Sequence, residues 1–563
     1  MRHAFSLSLP LVSLLVALPA RAADWYVSPT GTEGSASACP TRGTPCSLAS
    51  AAAGALAGDT VYLTSGSYQE PLFVANSGTA AAPITFKADL CSTPIIESVA
   101  SVDADQTTGV HSEKGEYLVF EGLVVRGWST GFGNHWADGA ESSEVSNGHW
   151  TISHCISYSN GRTGFTFFSG PSYTLTNSIA AHNGTSTAHS WSSGVTLFEA
   201  TGTNLIQGVI SFENTDEQKH TDGSGFIVDE GTDGANFINN IAFGNSGSCL
   251  RLTKSTATTF VNNTCYHNSQ FGSQATRPDD PGELYFTNAG VTIQNVNFKN
   301  NVIVGTGTAP AGPQAIVNQP TTGWTTNVVS LGASTVFTAP EGMNPDFTLA
   351  ASANTLIGKG TAGAGVPTTD IGFDPKCLVK RAPKMFGMVQ ALSRWQYDID
   401  IDYVTMKGGV AKCFNTGMRS GTAPDIGAYK SGAVTTAESC TPLPVGGGVG
   451  SAGAGNGGAA NAGGAGSIAT GGMSASTGGA TASGGALGAG AAPTGSGGAG
   501  AVAGGVGTSA GAGNVAPLAS GSGNDAGGCG CRTASSRVSY LPSTLGLFGI
   551  VTIALRRRRR DRS

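Results

Sequence analysis

Between Lys219 and Gly234 the chain reads KHTDGSGFIVDEGTDG, which sets Lys219, His220, Asp222, Asp229, Glu230 and Asp233 among four glycines. Just upstream, ENTDEQ adds Glu213, Asp216 and Glu217, in a chain of which only 12% is charged. Such a concentration of carboxylates and bases could hold a hard cation or move protons. The same residues could also be two ordinary Asp-Gly turns around the apolar run Phe226 to Val228. Which reading holds depends on the elements that carry them.

Those elements repeat. HWTISHCISYSN (149–160), YTLTNSIAAHN (173–183), NLIQGVISFEN (204–214), NFINNIAFGN (236–245) and TFVNNTCYHN (259–268) each read as an alternating strand closed by an asparagine. The closing residues Asn160, Asn183, Asn214, Asn245 and Asn268 lie 23, 31, 31 and 23 residues apart. Spacings of this size, fixed in pattern but uneven in length, fit a solenoid whose turns accept insertions. A second column, TGFTFFS (163–169), SGVTLFE (193–199), SGFIVDE (224–230) and SCLRLTK (248–254), aligns without gaps. Period-two alternation turns Phe165, Val195, Phe226 and Leu250 inward, with Phe167, Leu197, Val228 and Leu252 two positions on. The rows Thr166, Thr196, Ile227, Arg251 and Phe168, Phe198, Asp229, Thr253 then face outward.

On these residues, above all Asp222-Gly223-Ser224-Gly225-Phe226-Ile227-Val228-Asp229, the chain resembles right-handed parallel β-helix proteins of the pectate-lyase-like superfamily. WYVSPTGTEG (25–34) and AGDTVYLTSGSYQE (57–70) are similar to that group's opening strand and short capping helix. NPDFTLAASANTLIGKG (344–360) and PDIGAYKSG (424–432) resemble its closing segment. The resemblance implies an all-β right-handed parallel solenoid with N-terminal and C-terminal caps. It also implies chemistry on acidic polysaccharide: a base removes the proton α to a uronate carboxylate while calcium neutralises that carboxylate. Asp216, Asp222, Asp229 and Glu230 are then the calcium-ligand candidates. Lys219, Arg251 and Lys254 are candidates for the base or for holding the substrate carboxylate.

Stacked coils lie roughly 4.8 Å apart, so Glu199, Glu230 and Lys254 should form one column, and a Glu230–Lys254 cross-strand ion pair is the competing reading. Trp136 and Trp191, with His220, are candidate substrate contacts, since exposed tryptophans can stack on sugar rings. Trp128, His135, Asp138 and His189 lie in the same two insertions, where packing of loops over the solenoid is the alternative. In QYDIDIDYV (396–404), Asp398, Asp400 and Asp402 read as the polar face of a half-exposed strand, within a region expected to cap the last coil.

The flanks set the context. Arg2 and His3 followed by the apolar Leu9 to Leu18 and by Ala20-Arg21-Ala22 read as a secretory signal peptide over 1–23. Export permits disulfides among 11 cysteines, with Cys39–Cys46 and Cys377–Cys413 as the preferred pairs; Cys155, Cys249 and Cys265 read as small buried hydrophobes. The β-helix domain is assigned to 24–440, with an opening cap over about 24–90, repeats over about 91–305 and a closing region over about 306–440. Residues 441–528 are nearly all Gly, Ala, Ser and Thr, too poor in apolar surface to fold, and are expected to be a disordered linker. In 529–563, Cys529-Gly530-Cys531-Arg532, a 16-residue apolar run (540–555) and five arginines from Arg556 follow in order. This tail resembles a MYXO-CTERM sorting signal, a short hydrophobic helix that would contact the membrane before processing and leave the protein on the cell surface.

The formal charge of -6 without a basic patch argues against nucleic acid as a partner. The expectation is an exported, monomeric, surface-anchored protein that binds or cleaves acidic polysaccharide, as a calcium-assisted lyase in the first instance. A non-catalytic glycan-binding or adhesive protein is the second reading. A glycoside hydrolase using Asp229 with Glu199 or Asp222 is the third.

Overall fold

A computed structural model describes residues 22–103, 107–134, 147–189, 191–255, 257–269, 282–287, 295–305, 316–318, 320, 322–331, 335–381, 396–415 and 424–429. Residues 1–21 of the assigned signal peptide, and the whole of the linker and sorting tail, lie outside the described residues. No helix among the described residues is long and apolar enough to cross a membrane.

The chain winds as a right-handed parallel β-helix whose coils contribute to three long parallel sheets. In one coil, Thr151–Ser153 joins the first sheet, Ile156–Tyr158 the third and Phe165–Phe168 the second, before Thr174–Thr176 returns to the first. Each repeat read from the sequence as one strand is therefore two, bent at a corner. The bend falls where His154, Asn177, Asn239 and Asn262 take φ of 52°, 46°, 56° and 56°. Asparagine tolerates this left-handed region, and the kink sends the following residues into a different sheet. Alternation alone ran through the corner because the pattern keeps its phase across it.

The closing asparagines form a buried ladder. Each accepts, at Oδ1, the backbone N–H and the side-chain Nδ2–H of the asparagine one coil before: Asn160 to Asn183 at 3.3 and 2.9 Å, Asn183 to Asn214 at 3.1 and 2.9 Å, Asn214 to Asn245 at 3.0 and 2.9 Å, and Asn245 to Asn268 at 3.2 and 2.7 Å. A second ladder runs through Asn240, Asn263, Asn301 and Asn327 at the other corner. These side chains pair turn N–H groups that no strand partner can reach, at roughly 1 kcal/mol net per bond and more for each donor that would otherwise be left unpaired. Gly194 sits against the ladder because a Cβ there would meet Ser211 Oγ at 2.0 Å.

The second column pairs in the expected register, Val195 with Phe226 and Phe226 with Leu250. Both rows read as inward are buried in the solenoid core, which also stacks Phe86, Phe120, Phe237, Phe260 and Phe298 from the first sheet. At the opening, Asp24–Thr32 pairs with Thr60–Leu63, and a helix, Leu48–Gly54, starts from a Ser47 N-cap. Cys39–Cys46 and Cys377–Cys413 are bridged as expected. Cys155 is buried and free, but Cys249 and Cys265 form a disulfide rather than packing as separate thiols. They occupy facing columns, Cys249 following Gly225 and Cys265 following Ala242, so two small positions become one bridge.

The closing region departs further from expectation. The third sheet turns Ile156, Ile179, Ile210 and Ile241, with Tyr158, Phe212, Phe243 and Tyr266, away from the solenoid interior, into a second apolar core with Phe347, Ile371, Phe373, Tyr397, Val404 and Phe414. The described part of 335–429 thus runs back along a flank instead of only covering the last coil. Asn300 Nδ2 donates to Thr361 O, Asn239 Nδ2 to Thr369 O, and Gln396 N to Glu213 Oε1, with Gly409 reaching Ser92 near the opening. QYDIDIDYV is not one strand: Tyr397–Ile399 ends at Asp400, which accepts from Tyr403 N and caps the helix Ile401–Lys407. A carboxylate at an N-cap outcompetes strand alternation there.

The first ladder ends on Glu283, whose carboxyl accepts Asn268 N at 2.8 Å and Asn268 Nδ2 at 2.7 Å. Burial pushes Glu283 up to about 8, above its ordinary value of 4.5, while the bonds from Asn268 oppose the shift. The native state therefore holds a proton that the unfolded chain releases, and stability is lost as pH rises from the ordinary carboxylate value through about 8. Glu283→Gln keeps an acceptor oxygen without the charge. Its thermal midpoint is expected to fall less than the parent's between pH 5 and 9, as read by circular dichroism at each pH.

Candidate functional site

The acidic stretch enters the second sheet through the turn 216–223 and leaves it at Glu230. The strand Ser224–Asp229 is buried along its whole length, and so is Leu250–Thr253 beside it. Ile227 and Arg251, 1% and 2% exposed, belong to neither apolar core, so the outward row is covered here. Register pairs Ile227 with Arg251 and Phe198 with Asp229. The parallel ladder thus brings Asp222, Asp229 and Arg251 from two coils into one cluster, joined by Asp216.

Arg251 donates through Nη1 to Asp222 Oδ1 and to Thr221 O, and through Nε to Thr253 Oγ1 at 3.2 Å. The pair is nearly dry, with side chains 3% and 5% exposed. Asp216 is fully buried: its Oδ2 accepts from Thr221 N and Thr221 Oγ1 at 3.2 Å, while Oδ1 has no hydrogen-bond partner among the described residues. Burial, followed by the Asp222 charge, pushes Asp216 up to about 6. Burial also pushes Asp229 up to about 7, with Asp222 and Glu230 adding to the shift and Arg251 opposing it. Asp229 is the most exposed of the four, at 7%, and next to it in the outward row Phe198 stacks on Phe168 at 4.6 Å.

The remaining candidates divide. Lys254 Nζ meets both Glu230 oxygens, at 2.7 and 2.9 Å, so the competing cross-coil ion pair is what forms. With its ammonium held between two carboxylate oxygens, Lys254 is poorly placed to act as a base, and Glu230 is occupied as a ligand. Lys219 Nζ lies 3.6 Å from the centre of the Trp191 ring, a cation–π contact on a side chain that is 38% exposed. His220 takes a φ of 54° in the turn and donates its N–H to Asp216 O. Its backbone thus shapes the turn around Asp216. Trp136, His135 and Asp138 lie outside the described residues. Trp128 is not a surface platform: it is 4% exposed, and its Nε1 donates to Ile96 O.

The donor set does not fit a calcium cage. Asp222 is taken by Arg251 and Glu230 by Lys254, and among the described residues no group of three or more His, Cys, Asp or Glu is arranged to hold a metal ion. Arg251 is the cation of this cluster, and its guanidinium is paired with Asp222. What the cluster offers is proton transfer from carboxyls poised near neutral pH beside a fixed cation. Sequence reasoning missed Thr221, which serves Asp216 and Arg251 at once, and its only signal was adjacency to Asp222.

The chain matches the family described as "Right handed beta helix region" over residues 138–318. Among solved structures it is similar to pectate lyase Pel9A, at 16% identity over 73% of this chain and 97% of that one, with a TM-score of 0.44. A rhamnogalacturonan lyase matches at 16% identity over 54% and 87%, with a TM-score of 0.31. An alginate lyase from Paenibacillus sp. str. FPU-7 matches at 17% identity over 44% and 96%, with a TM-score of 0.28. No curated protein matches.

Breaking a buried pair by removing one partner typically costs about 3–5 kcal/mol, because the other charge stays buried and unpaired. Arg251→Gln is therefore expected to destabilise strongly, and Asp222→Asn combined with Arg251→Gln to recover a large part of that loss. Urea unfolding of the parent, both single variants and the double variant measures the coupling.

Proposed function

We propose that this protein is exported, displayed on the cell surface and active on acidic polysaccharide, with the Asp216, Asp222, Asp229 and Arg251 cluster as its reactive edge. The observation that carries this reading is Asp229. Its carboxyl is pushed up to about 7, so near neutral pH it exchanges a proton readily, and it stands beside the Asp222–Arg251 pair on the second sheet. In β-elimination the base takes the proton α to the uronate carboxylate, the bond to the β oxygen breaks, a C=C forms, and the leaving sugar oxygen receives a proton. Asp229 is the group suited to that transfer, and Arg251 supplies positive charge for the substrate carboxylate. Calcium assistance remains part of the proposal only as a condition to be tested.

The test is ultraviolet absorbance of unsaturated uronate products from the full chain on pectate, alginate and glucuronan, with calcium or with chelator, alongside a reducing-end assay. Calcium-independent absorbance that Asp229→Asn lowers by at least about 100-fold supports the reading. Absorbance that appears only with calcium would overturn the assignment of the charge to Arg251. Reducing ends without absorbance would instead mark hydrolysis by the carboxyls.

A second reading, a non-catalytic glycan-binding surface protein, is favoured by one feature. Trp191 offers an exposed ring with Lys219 against it, a platform that needs no reacting group. Polysaccharide binding that Trp191→Ala weakens, without turnover on any polymer, would establish that reading.

Surface display rests on the signal-peptide pattern of 1–23 and the Cys, apolar and poly-Arg order of 529–563. Deleting 529–563 is expected to release the protein into the medium, as seen by immunoblot of cells and supernatant. Retention on the cell after that deletion would refute the anchoring role.

A further inference from the structure

Far along the chain from the acidic cluster, a cavity of about 390 Å³ opens between the first coils and the returning C-terminal segment. Pockets that take small ligands begin at roughly this size, which suits a single sugar residue. Arg42, Tyr62, Lys87, Asp89 and Glu121 line it from the coils, and Gly408 to Lys412 close it from the other side.

The walls are built to hold their shape. Tyr62 stacks on Tyr26 one coil away, with centroids 5.1 Å apart and planes 14° apart. Arg42 lies 5.1 Å over the Tyr26 ring and is fixed by both oxygens of Asp89, which is 5% exposed. On the opposite wall, Gly409 has a φ of 103°, and a Cβ there would meet Ser92 O at 2.7 Å. Only glycine permits this close an approach at that backbone angle. The Cys377–Cys413 disulfide ties the same wall to the C-terminal core.

The charges inside do not cancel. Arg42 is balanced by Asp89, and Lys87 Nζ is 3.7 Å from Glu121, a loose pair with both groups a third or more exposed. Lys412 has no hydrogen-bond or ion-pair partner among the described residues, so the wall carries one net positive charge in a protein of formal charge -6. Lys87 also lies 5.8 Å from the Tyr62 ring centre. Tyr62, the one aromatic ring in the lining, two weakly held ammonium groups and one excess charge match a ligand with an apolar face and one carboxylate. A sugar ring bearing a carboxyl group has both.

We propose that this cavity is a binding site for a uronate residue, separate from the acidic cluster and independent of whether that cluster is catalytic. It would give the protein a second hold on an acidic polysaccharide, or a seat for a free uronate. The two sources share the ring and the carboxylate, and chain length in the assay distinguishes them.

Isothermal titration calorimetry of the full chain with galacturonate, glucuronate and mannuronate, each as monomer and as short oligomer, tests the proposal. The neutral sugar of each pair and inorganic sulfate serve as controls. Uronates are expected to bind more tightly than their neutral counterparts and than sulfate. Lys412→Glu is expected to weaken them by about tenfold or more, as is Tyr62→Ala. Lys412→Gln, a milder change in a partly exposed turn, covers the case in which Lys412→Glu disturbs folding. Uronates that bind no better than neutral sugars, or whose binding ignores both Lys412 variants and Tyr62→Ala, would overturn the proposal. Binding by sulfate equal to that of the uronates would also overturn it, because the cavity would then be a general anion site.

Discussion

The buried N–H groups at the corner of each coil are the constraint on which the rest depends. A parallel solenoid pairs its strands coil to coil, but a turn has no strand partner, and an unpaired buried donor costs on the order of 1–3 kcal/mol. The asparagine ladders remove that cost by letting each side chain accept from the coil before it and donate on to the coil after. Because each rung must meet the next, insertions are confined to the segments between rungs. Steps of 23 and 31 residues coexist in one ladder for this reason. The register so imposed is what places Lys254 on Glu230 and Arg251 beside Asp222, residues 24 and 29 positions apart in the chain.

Once the interior is filled by stacked side chains, the three sheets differ only in what their outer faces meet. The first turns polar and partly exposed residues outward, such as Thr174, Thr176, Asn236 and Lys299. The third turns outward a band of isoleucine and aromatic side chains that would be insoluble alone, and the C-terminal run covers it. The second buries charge on its outer side, the arrangement that hydrophobic packing least explains. Carboxyls and a guanidinium taken out of water must be compensated by one another, and the compensation is incomplete at Asp216 and Asp229, which keep their protons toward neutral pH instead.

The inward rows and the column register were legible because they follow from period-two alternation aligned from repeat to repeat, and the closing asparagines were legible as positions but not as a hydrogen-bonded ladder. The corner was not, since His154 and Asn177 bend the backbone without breaking the apolar pattern. The C-terminal flank was hidden for a related reason. Strands such as Ile156–Tyr158 and Ile210–Phe212 carry bulky residues on the outside and a small one inside, the reverse of an ordinary half-buried strand. That inversion was present in the sequence and signalled a covered face. Charge clustering singled out 216–230 in the sequence, but spacing could not say which cation pairs with which acid. Pair partners depend on side-chain reach across coils, and only there does Lys254 separate from Arg251.

The pairing pattern divides the labour among the ionisable groups. Cations assigned beforehand as bases are engaged: Lys254 by two carboxylate oxygens, Arg251 by Asp222 and Thr221, and Lys219 by the Trp191 ring. Engaged cations of this kind tie one coil to the next. Asp216 and Asp229 differ, because burial and the neighbouring carboxylates favour their neutral form. Proton exchange near neutral pH therefore belongs to Asp229 and Asp216, while the cations hold geometry and potential.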